Sequence, residues 1–175
     1  MPIPVLTGVL AVIGAVVLAV FLSGCQGLFG GQGPTASSRT AAPSTGPTHR
    51  VTATVPIGKN PDGVAVDPGT HAVYVANAFD NTVSVIDAST RTVTATVPVG
   101  YDPVGVAVDP GTHTVYVTNL VGANNTVSVI DGSTRTVTAT VPVGRNPNGV
   151  AVDPGSHTVY VTNYQSNSVS VIEHR

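Results

Sequence analysis

The sequence predicts an all-β fold made of repeated four-stranded antiparallel units, and three observations carry that prediction. A phrase is written three times: VTATVPIG begins at Val51, VTATVPVG at Val93 and again at Val137. YVAN at Tyr74 returns as YVTN at Tyr116 and Tyr160, so the period is 42 residues and then 44, the extra two falling inside Leu120 to Asn125. Each period holds four short runs of Val, Thr and Ala bounded by Asn, Asp, Gly and Pro, which is the composition of strands and turns. Charged residues are only 9% of the chain, and Leu, Glu and Lys are too scarce for a helical domain. A period of about 40 to 45 residues with several strands per unit is the signature of propeller blades. The expected architecture is three four-stranded antiparallel blades, as an open arc or as half of a six-blade ring.

In chain order, the first element is a targeting segment that takes no part in the fold. Ile3 to Leu22 is an apolar run followed by Ser23, Gly24 and a lone Cys25. Small residues ahead of a single cysteine resemble the lipobox of bacterial lipoproteins, in which the thiol is acylated and cleavage leaves Cys25 as the new N-terminus. The resemblance implies a signal peptide over residues 1–24, although Met1 to Gly8 lacks the usual Lys or Arg. An uncleaved signal anchor is the alternative, because about 20 apolar residues can also span a bilayer. Either reading places the rest of the chain in the cell envelope, on the extracytoplasmic side, held to the membrane through lipid on Cys25 or through the anchor, with secretion as a further alternative. One cysteine in total excludes an internal disulfide.

Residues 25–50 are Gly, Ser, Thr, Ala and Pro with almost nothing to bury, so a disordered tether is expected. As a flexible coil, about 25 residues reach roughly 25 to 30 Å. The folded part, residues 51–175, then divides into repeats at about 51–92, 93–136 and 137–175.

The four strand candidates of a repeat differ in pattern. Val64 to Val66 is apolar throughout, Val73 to Ala76 nearly so, and Val83 to Ile86 is broken only by Ser84. Thr92 to Val97 alternates strictly, with Val93, Ala95 and Val97 on one face and threonines on the other. A continuous apolar run predicts burial on both faces and alternation predicts one wet face, so burial is expected to decrease from the first strand to the fourth. Asp-Pro-Gly at 67, 109 and 153 supplies the turn after the first strand. Asn77, Asn119 and Asn163 close the second strand, where an amide can cap backbone groups. Pro56, Pro98 and Pro142 end outer strands, and Pro61, Pro103 and Pro147 precede the next blade, which suits strand ends but not strand centres.

GVAVDPGTHTVYVTN, with NTVSVID and RTVTATVPVG, resembles the YVTN family of β-propeller repeats found in surface-layer and cell-surface proteins of archaea and bacteria. The resemblance covers residues 51–175 and implies a propeller fold and a surface setting. It does not imply an activity, because one propeller scaffold hosts many. It departs from the family in having three blades, where propellers close with about four to eight.

The phase of the repeats bears on assembly. The chain begins on a fourth strand, Val51 to Val55, and its last blade stops after a third strand, Val169 to Ile172. The outer strand of the last blade is thus expected from an N-terminus, and a three-blade ring is too tight for it to come from the same chain. A homodimer by strand exchange is the expectation, with a truncated product or open arc as the alternative.

Up-and-down topology puts the fourth-to-first and second-to-third turns on one face of the blades. There the repeats disagree: Lys59, Asn60 and Asp62 stand against Tyr101, Asp102 and Val104 and against Arg145, Asn146 and Asn148. Phe79 and Asp80 likewise stand against Leu120 to Asn125, including Asn124, and against Tyr164 and Gln165. The opposite face keeps Asp-Pro-Gly-Thr/Ser-His and Ser-Thr-Arg turns. Variation confined to one side is the pattern of a binding face on a repeat protein, against the alternative of unconstrained drift. The tether enters from the constant face, so the variable face points away from the membrane.

Catalytic chemistry finds little support. The region after residue 50 holds all nine acids but five bases, a net charge of −4, which excludes the clustered positive surface needed for nucleic acid. His71, His113 and His157 recur at one turn of successive blades, too far apart to converge on one metal ion, so no metal or other cofactor is expected. Asp67, Asp109 and Asp153 read as turn acceptors. No nucleophile elbow, HExxH motif or phosphate loop occurs. The favoured function is a non-enzymatic module binding protein or glycan. The alternative is a lactonase-like hydrolase or lyase with Asp62, Asp102, Asn146 and Asn148 around a ring axis and, in a six-blade dimer, a divalent cation among them.

Overall fold

In a computed structural model, which describes residues 49–120 and 125–173, short apolar runs separated by Asx turns fold into three up-and-down sheets. The targeting segment, Cys25, the tether as far as residue 48, and Asn124 lie outside the described residues. The first blade comprises β1 (Pro61–Val66), β2 (Ala72–Asn77), β3 (Thr82–Asp87) and β4 (Thr92–Pro98). The second comprises β5 (Pro103–Asp109), β6 (Thr114–Asn119), β7 (Thr126–Asp131) and β8 (Thr136–Pro142). The third has β9 (Pro147–Asp153), β10 (Thr158–Asn163) and β11 (Ser168–Ile172). Strands are hydrogen-bonded in chain order and antiparallel, giving two sheets of four strands and one of three in an open arc.

Local chemistry sets the turns. Asp67 Oδ1 accepts from the Gly69 amide at 2.8 Å and Oδ2 from the Thr70 hydroxyl at 2.8 Å, folding the chain into an Asx turn. Asp109 and Asp153 repeat the arrangement. Asp87 and Asp131 do the same after the third strand, each accepting from the serine two residues on. The prolines stand at strand ends, as a residue without an N–H requires.

The inner strands β1, β5 and β9 lie side by side. Glycine permits the approach: a Cβ at Gly63 would strike the Val104 carbonyl, and one at Gly105 the Asn148 carbonyl. The register of each inner strand against the second slips at this level.

The apolar core lies between blades rather than within them. Tyr74, Val83, Val85 and Val97 of the first blade bury against Val115, Val117 and Ile130 of the second. Tyr116 and Val127 then bury against Val159 and Val161 of the third. Alternation on the pleat gives each sheet two apolar faces, one for each neighbour.

Two expectations need correction. Burial does not decrease outward from the first strand: it is greatest in β2, β3, β6 and β7, while Val64 and Val66 of β1 are exposed. The inner strand is an edge strand with a partner on one side only, whereas the middle strands have partners on both. Outer strand β4 buries Val97 and half-buries Ala95 while its threonines stay wet, as its alternation requires, whereas β8 leaves Val137 and Ala139 exposed as well. Val51 to Val55, expected to complete a blade of another chain, is in no sheet among the described residues, and Val51 is exposed. Second, the YVTN asparagines serve side chains more than backbone: Asn77 Nδ2 donates to the hydroxyls of Thr82 (3.1 Å) and Ser84 (2.9 Å). Asn119 and Asn163 donate to the equivalent pairs.

Candidate functional site

The two ends of the blades differ in chemistry. At the variable end the fourth-to-first and second-to-third turns of each blade are tied together. The Ala78 amide donates to the Asn60 carbonyl at 3.0 Å, Leu120 to Asp102 at 2.9 Å, and Tyr164 to Asn146 at 2.9 Å. Lys59 donates its amide to Asp80 Oδ2 at 2.8 Å, and Gln165 donates its own to the Arg145 carbonyl at 3.2 Å. Neighbouring blades are stitched at the same level, where Asn81 Oδ1 accepts from the Asp102 amide (3.0 Å) and Asn125 Oδ1 from the Asn146 amide (2.8 Å). Asn60, Asp102 and Asn146 hold left-handed backbone at φ 52, 51 and 60, a conformation that Asn and Asp tolerate better than most residues.

This scaffold repeats while its side chains do not. Phe79, Tyr101 and Tyr164 stand 74, 70 and 77% exposed on it, with Lys59, Asp80, Arg145 and Gln165 also exposed between them. Asp102, Asn146 and Leu120 are half-buried and serve the turns themselves. Asp62 is exposed at the start of β1, whereas its counterpart Val104 is buried and its counterpart Asn148 exposed. The structure therefore brings the residues expected at a binding face onto one end of the arc, Asn124 excepted because it lies outside the described residues. Beside Asn148 and Tyr164 an open groove of about 560 Å³ runs along Thr162, Asn167 and Val169. Among the described residues, no group of three His, Cys, Asp or Glu converges in a way that could hold a metal ion.

The constant end carries a device that sequence reasoning missed. His113 donates its Nδ1 proton to Asp67 Oδ2 at 2.7 Å, and His157 donates to Asp109 Oδ2 at 2.7 Å. Each bond joins one blade to the next. The aspartates are fully buried and the histidines about half exposed. Burial pushes the Asp67 carboxyl up, but hydrogen bonds from Thr70, Gly69 and His113 outweigh it and hold the group below its ordinary 3.8. Asp109 is lowered in the same way, burial again opposed by Thr112, Gly111 and His157. A carboxylate only accepts, so Nδ1 carries the proton in both histidines. The available signal was that Asp and His recur together at one turn, and that the Asp of one repeat and the His of the next share a side of the sheet.

These sheets, with apolar faces packed blade on blade and inner strands side by side, define a β-propeller protein. The chain matches the YNCE-like beta-propeller family over residues 34–175 and belongs to it. No curated protein matches it. Among solved structures it is similar to Kuenenia stuttgartiensis hydrazine synthase, at 26% identity and a TM-score of 0.61, covering 71% of this chain and 36% of that one. It is also similar to a functionally unknown protein from Desulfotomaculum acetoxidans DSM 771, at 23% identity and a TM-score of 0.53, covering 67% and 43%. A third is the dihydro-heme d1 dehydrogenase NirN in complex with DHE, at 19% identity and a TM-score of 0.56, covering 65% and 25%. The chain thus spans less than half the length of each, and the two below 25% identity speak for the fold alone.

Proposed function

We propose that this chain is a cell-surface module of the YVTN type, lipid-anchored through Cys25 outside the cytoplasmic membrane, and that it binds a protein or glycan partner without catalysis. One observation carries the reading: a repeating backbone displays non-repeating, exposed Phe79, Tyr101 and Tyr164 on one end. Amphipathic aromatic side chains, with Arg, dominate the energetics of recognition surfaces because they offer large contact area at low entropy cost. Their separate exposure on successive blades suits an extended partner better than a small substrate.

The test uses the full chain, immobilised, against the polysaccharide and protein fractions of the envelope of the source cells. Saturable binding to one fraction, lowered at least about tenfold in a Phe79→Ala/Tyr101→Ala/Tyr164→Ala variant that melts like the parent, is the expected result, equivalent to about 1.4 kcal/mol. Binding equal in variant and parent would remove the rim from the proposal.

A further inference from the structure

One buried position differs between repeats that otherwise match around it. Ala76 of the first copy stands where the second and third carry Thr118 and Thr162, and Ala76 and Thr118 are both fully buried. Thr118 serves two blades at once. Its Oγ1 accepts from the Gly105 amide of its own blade at 2.8 Å and donates to the Asn148 carbonyl of the next at 2.7 Å, with the Gly105 carbonyl a distant second acceptor at 3.5 Å. Thr162 repeats the half of this that lies within one blade, accepting from the Gly149 amide at 2.9 Å. The Gly105 amide turns to a hydroxyl because β5 bulges against β6 at this level, setting Val104 and Gly105 together opposite Thr118 and taking them out of the backbone ladder.

The junction of the first and second blades has the acceptor in the same place and lacks the hydroxyl. A Cβ at Gly63 would strike the Val104 carbonyl as one at Gly105 would strike the Asn148 carbonyl, so β1 approaches β5 as closely as β5 approaches β9. The same bulge sets Asp62 and Gly63 opposite Ala76. A methyl there offers the Gly63 amide no acceptor and the Val104 carbonyl no donor. The other polar ties occur at both junctions: Asn81 to Asp102 and Asn125 to Asn146 at the variable end, and the two histidine–aspartate bonds at the constant end. A long contact from Arg135 Nη1 to the Thr94 carbonyl, at 3.4 Å, is found at the first junction alone among the described residues, but it reaches the outer strand β4. The fully buried side chains of that junction stand on β2, β3, β4, β6 and β7, so its apolar core is centred away from the contact of β1 with β5.

We propose that Thr118 is a latch between the inner strands of the second and third blades, and that Ala76 leaves the first junction unlatched, so that β1 parts locally from β5 while the core beyond stays closed. An amide and a carbonyl facing a buried methyl favour any local opening that brings water to them. The bulge lies at the variable end of β1, next to Asp62. The first blade, which carries Lys59, Phe79 and Asp80, is thereby the one with freedom to shift against Tyr101 of the second. This gives the face proposed above for binding a compliant seam, although the latch itself does not depend on that reading.

The experiment is amide hydrogen exchange, resolved by residue with NMR, on the full chain in detergent. In the parent the Gly63 amide is expected to exchange at least tenfold faster than the Gly105 amide, after correction for intrinsic rates. Ala76→Thr is expected to bring Gly63 down to the Gly105 rate, while Ala76→Val, which adds the same bulk without a hydroxyl, leaves it fast. Thr118→Val is expected to raise the Gly105 rate at least tenfold with the amides of β6 and β7 still protected, and Thr118→Ser to keep the parent rate. The Thr118 variants decide the matter even where Ala76→Thr fails to fold. Equal rates at Gly63 and Gly105 in the parent overturn the proposal, as does a Thr118→Val protein that protects Gly105 like the parent. Slowing of Gly63 by Ala76→Val as much as by Ala76→Thr also overturns it, because bulk and not the hydroxyl would then close the junction.

Discussion

At the residue scale, the blade-to-blade histidine–aspartate bonds join turn chemistry to stability. The Asp67 and Asp109 carboxyls lie below their ordinary 3.8 in the folded protein, so in acid the folded state binds fewer protons than the unfolded chain. Their contribution is complete above pH 3.8 and is lost as pH falls through the lowered folded values. Thermal melts are expected to be nearly flat from neutrality down to that point and to fall steeply below it. Asp109→Asn keeps the shape of the side chain but offers His157 and Thr112 a neutral acceptor. It is expected to cost about 1 to 2 kcal/mol at pH 7 by urea denaturation and to make the acid decline shallower.

At the element scale, the inner strands show how a small side chain sets the geometry of a blade. Gly105 is where β5 passes closest to β9, with the Asn148 carbonyl and, at 2.9 Å, Thr118 Oγ1 occupying the space of a Cβ. Thr118 Oγ1 itself donates to the Asn148 carbonyl at 2.7 Å, so the site cannot relax without breaking an interblade bond. Gly105→Ala is therefore expected to destabilise by about 1 to 3 kcal/mol in urea melts, from overpacking rather than from strain in φ. The strands on either side of this contact were largely legible from their apolar runs and bounding turns, with boundaries within a few residues. The degree of burial was not, because a continuous apolar run records that a strand is covered somewhere but not by what.

At the scale of the whole molecule, the open arc explains why three near-copies differ in exposure. A blade has no core of its own worth the name; its apolar faces are buried only by its neighbours, as in other repeat architectures. The anchoring proposal acts at this scale too. Mass spectrometry of the protein from membranes is expected to find an N-terminus at a lipid-modified Cys25, and Cys25→Ser to leave the precursor unprocessed; an unmodified N-terminus upstream of residue 25 would favour the signal anchor. The variable rim was legible in outline, since the loop differences of Lys59, Tyr101 and Arg145 can be counted in the sequence.

Strand identity, turn type and blade number followed from the sequence alone, because they depend on residues a few positions apart: alternating Val and Thr, Asp-Pro-Gly, and a 42-residue period. Tyr74, Tyr116 and Tyr160 show what did not. Each is the third residue of its strand in nearly the same local sequence, yet the first two are buried and the third is exposed. The His113–Asp67 contact likewise spans 46 residues. Burial and interblade bonding depend on which surface meets which, and only the tertiary arrangement of the blades decides that.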